Sequence, residues 1–429
     1  MIRAFLAFAV AATLTPSAAA RPDAVQPFCE AGAYRSAEGN FVALARSPTH
    51  PDRGLRYLFR DGRRGWASDA DAPFDCTPDG VRIGKGDGTQ AWARVAFRET
   101  SATFDSAGSK LNGVLIEPPG ADPRRPLVVM VHGSERSSPI GGIYGYAMAA
   151  QGLSVFVYDK RGTGASEGEY TQNFELLAND AAAALEQARA MLPGHSGRAG
   201  FFGGSQGGWV APLAATLTPA DFVAVGFGLV ASPIEEDREQ MVSEVRAAGL
   251  GADAEKLVNN LSAATAKLLL SNFKEGYEEL DTARAALAKK PWAERIQGEH
   301  SGAILRMPNE ELRRIGRPRF DNLELIWDYD AVAALRKLRT PLLWVLAGED
   351  REAPIETTRA ALADLQAAGQ PIDVYLFPGT DHGMIEFTTG PDGERRYTRI
   401  ADGYLTLLGD WIKGGANGSY ARAQKLNPR

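Results

Sequence analysis

With two cysteines and five histidines in 429 residues, the chain is short of the side chains that most often build metal centres. No His or Cys neighbour falls at ligand spacing, so no metal site and no cofactor is expected. Long apolar runs are also missing. No stretch reaches the eighteen or more residues that a membrane-spanning helix needs, which argues against stable membrane insertion. Lys and Arg are not gathered into a stripe and the net charge is -6, so nothing points to nucleic acid. What is present is ordinary: 44% hydrophobic and 23% charged residues, enough for one large domain and a smaller one.

The first twenty residues read as an export signal rather than as part of the fold. Arg3 supplies the positive start, Phe5 to Leu14 the apolar centre, and Ala18-Ala19-Ala20 a small-residue cleavage site before Arg21. This predicts a periplasmic or secreted protein. In such an oxidising compartment Cys29 and Cys76 are expected to be joined in a disulfide.

Residues 21–97 read as a small β-rich module. Short apolar runs such as Phe41-Val42-Ala43-Leu44 are separated by turn signals such as Asp61-Gly62 and Asp79-Gly80. It reads as a structural module packed on the main domain, with a lid, a substrate-binding appendage or an oligomerisation element as the other readings. The oligomeric state is not legible. From residue 98 hairpin patterns give way to alternating buried strands and helices. Leu127 to Val131, Leu153 to Tyr158, Gly200 to Phe202 and Phe222 to Val230 are apolar runs suited to strands buried on both faces. Such alternation implies a mostly parallel sheet with helices on both faces. Residues 232–325 interrupt it with a charged segment of helical period, Met241/Val245 and Leu257/Val258/Leu261 among its repeats. It is expected to form a cap over the C-terminal edge of the sheet rather than only an extra helical layer. Residues 326–415 resume the pattern, with a helix from Tyr329 to Lys337, strands at Pro341 to Ala347 and Ile372 to Phe377, and a last helix near Tyr397 to Ile412. The tail, 416–429, is polar and expected to be frayed.

The stretch Phe201-Phe202-Gly203-Gly204-Ser205-Gln206-Gly207-Gly208-Trp209 organises the rest. It carries Gly-x-Ser-x-Gly where a strand turns sharply into an apolar helix, a turn that strains the serine and needs glycines on both sides. Alone, the motif also fits a glycine-rich turn with an incidental serine. A serine nucleophile needs a base, and the base an orienting acid. His50, His195 and His300 read as exposed loop residues, and His132 precedes a glycine where backbone rather than side chain is the requirement. His382, after the last strand, is the candidate base. Asp350, just after the strand ending at Ala347, is the candidate acid; Glu349 is expected to point elsewhere and Asp381 to hold local backbone. Ser205, Asp350 and His382 then stand at three strand ends on one sheet edge. The backbone N–H groups of Gln206 and Ser134 are the candidate oxyanion donors.

These pieces together resemble the α/β-hydrolase superfamily: the His132-Gly133 strand end, the loop Asp159-Lys160-Arg161-Gly162 to Gly168, the elbow at Gly203 to Gly207, Asp350 four residues before Pro354, and Asp381-His382-Gly383. Residues 100–413 are similar to a whole hydrolase domain. Within the superfamily the Ser205 elbow and the cap look most like bacterial exported carboxylesterases, acyl-hydrolases and dienelactone-hydrolase-like proteins. The resemblance implies a small-molecule ester substrate, with an amide or peptide substrate as the alternative. Thioesters, acyl transfer and a non-catalytic binding role rank lower. Ser134-Glu135-Arg136 departs from the more glycine-rich loop of many relatives, and a neutral, Leu- and Ala-rich pocket would favour apolar acyl groups.

Overall fold

The computed structural model describes residues 29–84, 88–320 and 324–427; the expected export signal lies outside them. Seven short strands, β1 (Gly32–Arg35), β2 (Phe41–Arg46), β3 (Leu55–Phe59), β4 (Arg64–Trp66), β5 (Phe74–Thr77), β6 (Gly80–Ile83) and β7 (Gln90–Arg94), make one antiparallel sheet. Strand β2 is apolar at every position from Phe41 to Ala45, so both faces of this sheet are buried. Val42 and Leu44 pack with Tyr34, Phe59, Phe74 and Trp92 on the outer face, which the Cys29–Cys76 disulfide closes. Phe41, Ala43, Ala45 and Leu58 face the main domain.

The main domain is a nine-stranded sheet. The hairpin β8 (Arg98–Ser106) and β9 (Ser109–Glu117) forms one edge, and β10 (Leu127–Val131) and β11 (Ser154–Tyr158) follow. The sheet continues with β12 (Ala199–Gly204), β13 (Phe222–Gly226), β14 (Leu342–Ala347) and β15 (Ile372–Phe377), β10 through β15 being parallel. With β9 and β11 antiparallel at one side, the order is β8-β9-β11-β10-β12-β13-β14-β15, to which the tail adds one more strand. The central strands are buried at nearly every position because helices cover both faces: α1 (Ile143–Ala149), α2 (Phe174–Ala190) and α3 (Gly207–Leu217) precede the helical insertion. Burial of each large aliphatic side chain in these layers stabilises by about 1.5–3 kcal/mol.

Between β13 and β14 the chain leaves the sheet for α4 (Pro233–Ala247), α5 (Ala252–Leu270), α6 (Tyr277–Leu287), α7 (Ser301–Arg306) and α8 (Asn309–Phe320). Ser232 starts α4 with a reciprocal capping box to Glu235 and Pro233 at its first position. These helices bury their own core of Met241, Val258, Leu261, Leu268, Leu280 and Leu312. The chain returns through α9 (Ala331–Lys337), capped by Asp330 two residues later than expected, and α10 (Glu356–Ala367).

Two expectations near the C-terminus are corrected. The last helix, α11 (Tyr404–Ile412), does not start near Tyr397. A three-stranded ribbon stands before it, β16 (Thr380–Asp381), β17 (Ile385–Thr389) and β18 (Arg395–Ile400). The tail is not frayed throughout: β19 (Gln424–Leu426) pairs antiparallel with β15. Two of its three residues are polar, but an edge strand is held by backbone hydrogen bonds that hydropathy does not report.

Candidate active site

Strand β12 delivers Ser205 to the sheet edge in a left-handed backbone conformation, φ 53°. For a non-glycine residue this costs on the order of 1–3 kcal/mol and persists only where the surroundings enforce it. They do so by crowding. A Cβ on Gly203 would lie 2.6 Å from the Gly207 carbonyl oxygen, and one on Gly204 would lie 2.7 Å from the Phe227 ring. Trp209 then anchors α3, its indole N–H donating to the Ala231 carbonyl at 2.8 Å while its ring stacks on Phe174.

His382 Nε2 lies 3.1 Å from Ser205 Oγ and Nδ1 lies 3.0 Å from Asp350 Oδ2. The other oxygen of Asp350 accepts the backbone N–H groups of Glu352 and Ala353 at 3.0 and 2.8 Å, which holds the carboxylate with Oδ2 on the histidine. Asp350 is buried beneath the half-buried ring. Burial of His382 opposes its protonation, but the Asp350 hydrogen bond and the charges of Asp350, Glu352 and Asp381 outweigh it and raise its pKa. Asp381 accepts the N–H groups of Arg351 and His382 and pairs with Arg395, holding the loop under the histidine. Glu349 turns away to Arg395. Among the described residues, neither the Ser134 nor the Gln206 backbone N–H has an acceptor in the protein.

The structure thus brings Ser205, Asp350 and His382 into one hydrogen-bonded row, with Ser134 and Gln206 lining the cavity that opens on the serine. The remaining histidines lie outside that row. His50 is exposed, and His195 is half-buried with Nε2 on the Arg125 carbonyl. His300 is not an exposed loop residue: it is 5% exposed, edge-on to Trp327 and 3.6 Å from Asp237.

One residue that sequence reading passed over supports the loop carrying Ser134. Lys160 is buried, and its ammonium donates to the carbonyl oxygens of Gly133 at 2.5 Å and Glu135 at 3.4 Å and to Gln206 Oε1 at 3.4 Å. Burial, opposed by Glu135, pushes its pKa down to about 8. The ammonium therefore ties the Gly133–Glu135 loop to the elbow. Its place in Asp159-Lys160-Arg161-Gly162 was the available signal, but which carbonyls it reaches depends on a loop from another strand.

Two cavities open on Ser205. The one beneath the helical insertion, about 240 Å³, is walled by Glu236 of α4, by Glu299 before α7 and by Glu352, with Trp209, Phe320 and Trp327 between them and Arg319 also lining it. Burial and the neighbouring carboxylates raise the pKa of Glu236 well above the usual range, and burial raises that of Glu299. This acidic wall corrects the expectation of a neutral pocket. The second cavity, about 260 Å³, is almost wholly apolar, with Met130, Val131, Phe202 and Phe227 along it.

A nine-stranded, mostly parallel sheet whose strained serine turn meets a histidine and an aspartate from later strand ends is the architecture of the α/β-hydrolases, and the protein is a serine hydrolase of that superfamily. The family described as serine aminopeptidase, S33 matches residues 122–386, and the chain belongs to it. No curated protein matches the chain. Among solved structures it is similar to the esterase Pf2001 of Pyrococcus furiosus, at 14% identity over 67% of this chain and 84% of that chain, TM-score 0.42. The Pyrococcus horikoshii acylaminoacyl peptidase is similar at 14% identity over 83% of this chain and 46% of that one, TM-score 0.41. A proline iminopeptidase of Mycobacterium smegmatis is similar at 18% identity over 66% and 91%, TM-score 0.39.

Proposed function

We propose that the protein hydrolyses carboxylic esters through Ser205, His382 and Asp350. The observation that carries the serine mechanism is the continuous hydrogen-bonded row from Ser205 Oγ through His382 to Asp350, and the apolar cavity beside Ser205 suits the acyl portion of an ester. Ser205 Oγ attacks the acyl carbon as His382 Nε2 takes its proton, and the carbonyl oxygen becomes an oxyanion facing the free N–H groups of Ser134 and Gln206. Asp350 stays ionised and stabilises the imidazolium. His382 then protonates the leaving oxygen as the C–O bond breaks, leaving an acyl-enzyme. Water, deprotonated by His382, attacks that ester and releases the acid and Ser205.

A second reading, cleavage of an amide beside a free amine by the same groups, is favoured by Glu236, Glu299 and Glu352 around the cavity under the insertion. A protonated amine there would meet carboxylates in a partly desolvated setting, where charge-assisted hydrogen bonds are strongest. The name of the family points the same way. The deciding experiment compares p-nitrophenyl esters with aminoacyl p-nitroanilides, free and N-acetylated, on wild type and Ser205→Ala. We expect Ser205→Ala to lower turnover of every accepted substrate by a factor on the order of 10⁴ or more. Ester turnover surviving in that variant would sink the serine mechanism. Turnover of free but not N-acetylated anilides would establish the second reading.

A further inference from the structure

The apolar cavity at Ser205 does not end in the hydrolase domain. Met130, Glu135, Pro139, Tyr144 and Phe227 line it and also line a larger cavity of about 430 Å³, so the two form one cleft. The far wall of that larger space belongs to the antiparallel N-terminal sheet: Arg46 ends β2, Arg56 and Tyr57 lie on β3, and Arg64 starts β4. Arg64 is half-buried and its Nε donates to the Thr398 carbonyl at 3.3 Å. Among the described residues, no carboxylate lies within ion-pairing distance of Arg46, Arg56 or Arg64, whereas Arg53 and Arg63 of the same module pair with Asp69 and Asp61. The Tyr144 hydroxyl, close enough to feel the charges of Arg56 and Arg64, likewise has no hydrogen-bond partner among them. For half-buried Arg64 a guanidinium without a counterion is costly, and the donor forks of Arg64 and of exposed Arg56 beside it match a carboxylate.

We propose that this cleft is a second substrate subsite, in which the N-terminal sheet recognises the anionic end of an apolar substrate portion held at Ser205. The chemistry is specific. The part nearest the serine meets Phe202, Phe227 and Met130 and must be apolar. The far end meets Arg64, Arg56 and Tyr144 and is a carboxylate. Glu135 is the one acid in the passage; its carboxylate sits 3.7 Å from His132 and is countered by Lys160, so it leaves the arginines at the far end uncompensated. The module of residues 32–94 is then part of the binding site rather than only a support. This inference rests on the reading of Ser205 as the reacting group.

The test reads binding first, so that it does not depend on turnover. Phenylpropanoate and phenylpropanamide present the same apolar group with and without the charge. Calorimetric titration of the full chain should show the acid binding roughly tenfold more tightly than the amide. Arg64→Met and Arg56→Glu should each erase that difference; Arg56 is exposed, so its substitution does not threaten the fold. The acid should also slow labelling of Ser205 by a fluorophosphonate. Equal binding of acid and amide, a preference that survives both substitutions, or binding that leaves labelling unchanged overturns the subsite. If Ser205 takes no label at all, the hydrolase reading fails separately, while the titration still decides whether the arginines bind the carboxylate.

Discussion

Replacing Asp350 by asparagine tests the site by geometry rather than by deletion. One oxygen of Asp350 accepts two backbone N–H groups, from Glu352 and Ala353. The asparagine must keep its carbonyl oxygen there, because the flipped amide would leave two buried donors facing an NH₂ at a cost of about 1–3 kcal/mol each. Its NH₂ therefore faces His382 Nδ1, which must become an acceptor. The ring proton moves to Nε2, and His382 then donates to Ser205 Oγ at the position where it should accept. The base is present but in the wrong tautomer. We expect kcat to fall about 10⁴-fold, equivalent to roughly 5 kcal/mol of transition-state stabilisation, while KM moves little. The pH profile should shift too. Activity needs neutral imidazole, and His382 titrates above its ordinary value of about 6.5, so the wild-type acid limb lies above that pH. Without the Asp350 charge, burial opposes protonation with less resistance and the limb moves to lower pH. Stopped-flow hydrolysis of p-nitrophenyl butyrate across pH, with urea unfolding as a check on the fold, measures both effects. A loss of less than about tenfold would refute the reasoning and make Glu352 or Asp381 the orienting acid.

Lys160→Met removes the tie between the Gly133–Glu135 loop and the elbow, and kcat should drop about 10–100-fold with a smaller change in KM. Wild-type kcat should also decline as pH rises through about 8, where the ammonium loses one of the three protons it donates, and this alkaline limb should be absent from the variant. Cys76→Ser opens a loop with a sequence separation of 47, and the full chain should lose up to about 4 kcal/mol of stability in urea unfolding. An unmoved midpoint would mean that the inner face of the N-terminal sheet, not the disulfide, holds it.

Much of the fold was legible because buried parallel strands are written in continuous apolar runs, and β10, β13 and β14 are of that kind. The positions of Ser205, Asp350 and His382 were legible because each stands within a short loop of the end of a parallel strand. Features built from distant pieces were not. Glu236, Glu299 and Glu352 come from one helix and two loops, and each alone reads as a solvated acid until the insertion folds back over the serine. Strand β18, Arg-Arg-Tyr-Thr-Arg-Ile, has no apolar alternation to mark it; Asp381 and Glu386 pair with its arginines and give it a place. The N-terminal sheet was recognised as β-rich, but the continuous apolar run of β2 gives no hint of what lies on each side.

The inner face of that sheet sets an order on the making of the protein. Phe41, Ala43, Ala45 and Leu58 are among the first apolar residues of the module to be synthesised, yet they share a core with Leu405 and Leu408 of α11. Gly62 is pressed so closely against the Ile400 carbonyl that a Cβ there would overlap it. Helix α1 packs on this face as soon as it is made, but the sheet cannot reach its final packing until nearly the whole chain has emerged. A chain that stops short of residue 400 would keep every group of the Ser205 row and the cover that α1 gives the sheet, yet lack the α11 side of the shared core, leaving apolar residues there open to association with other unfinished chains.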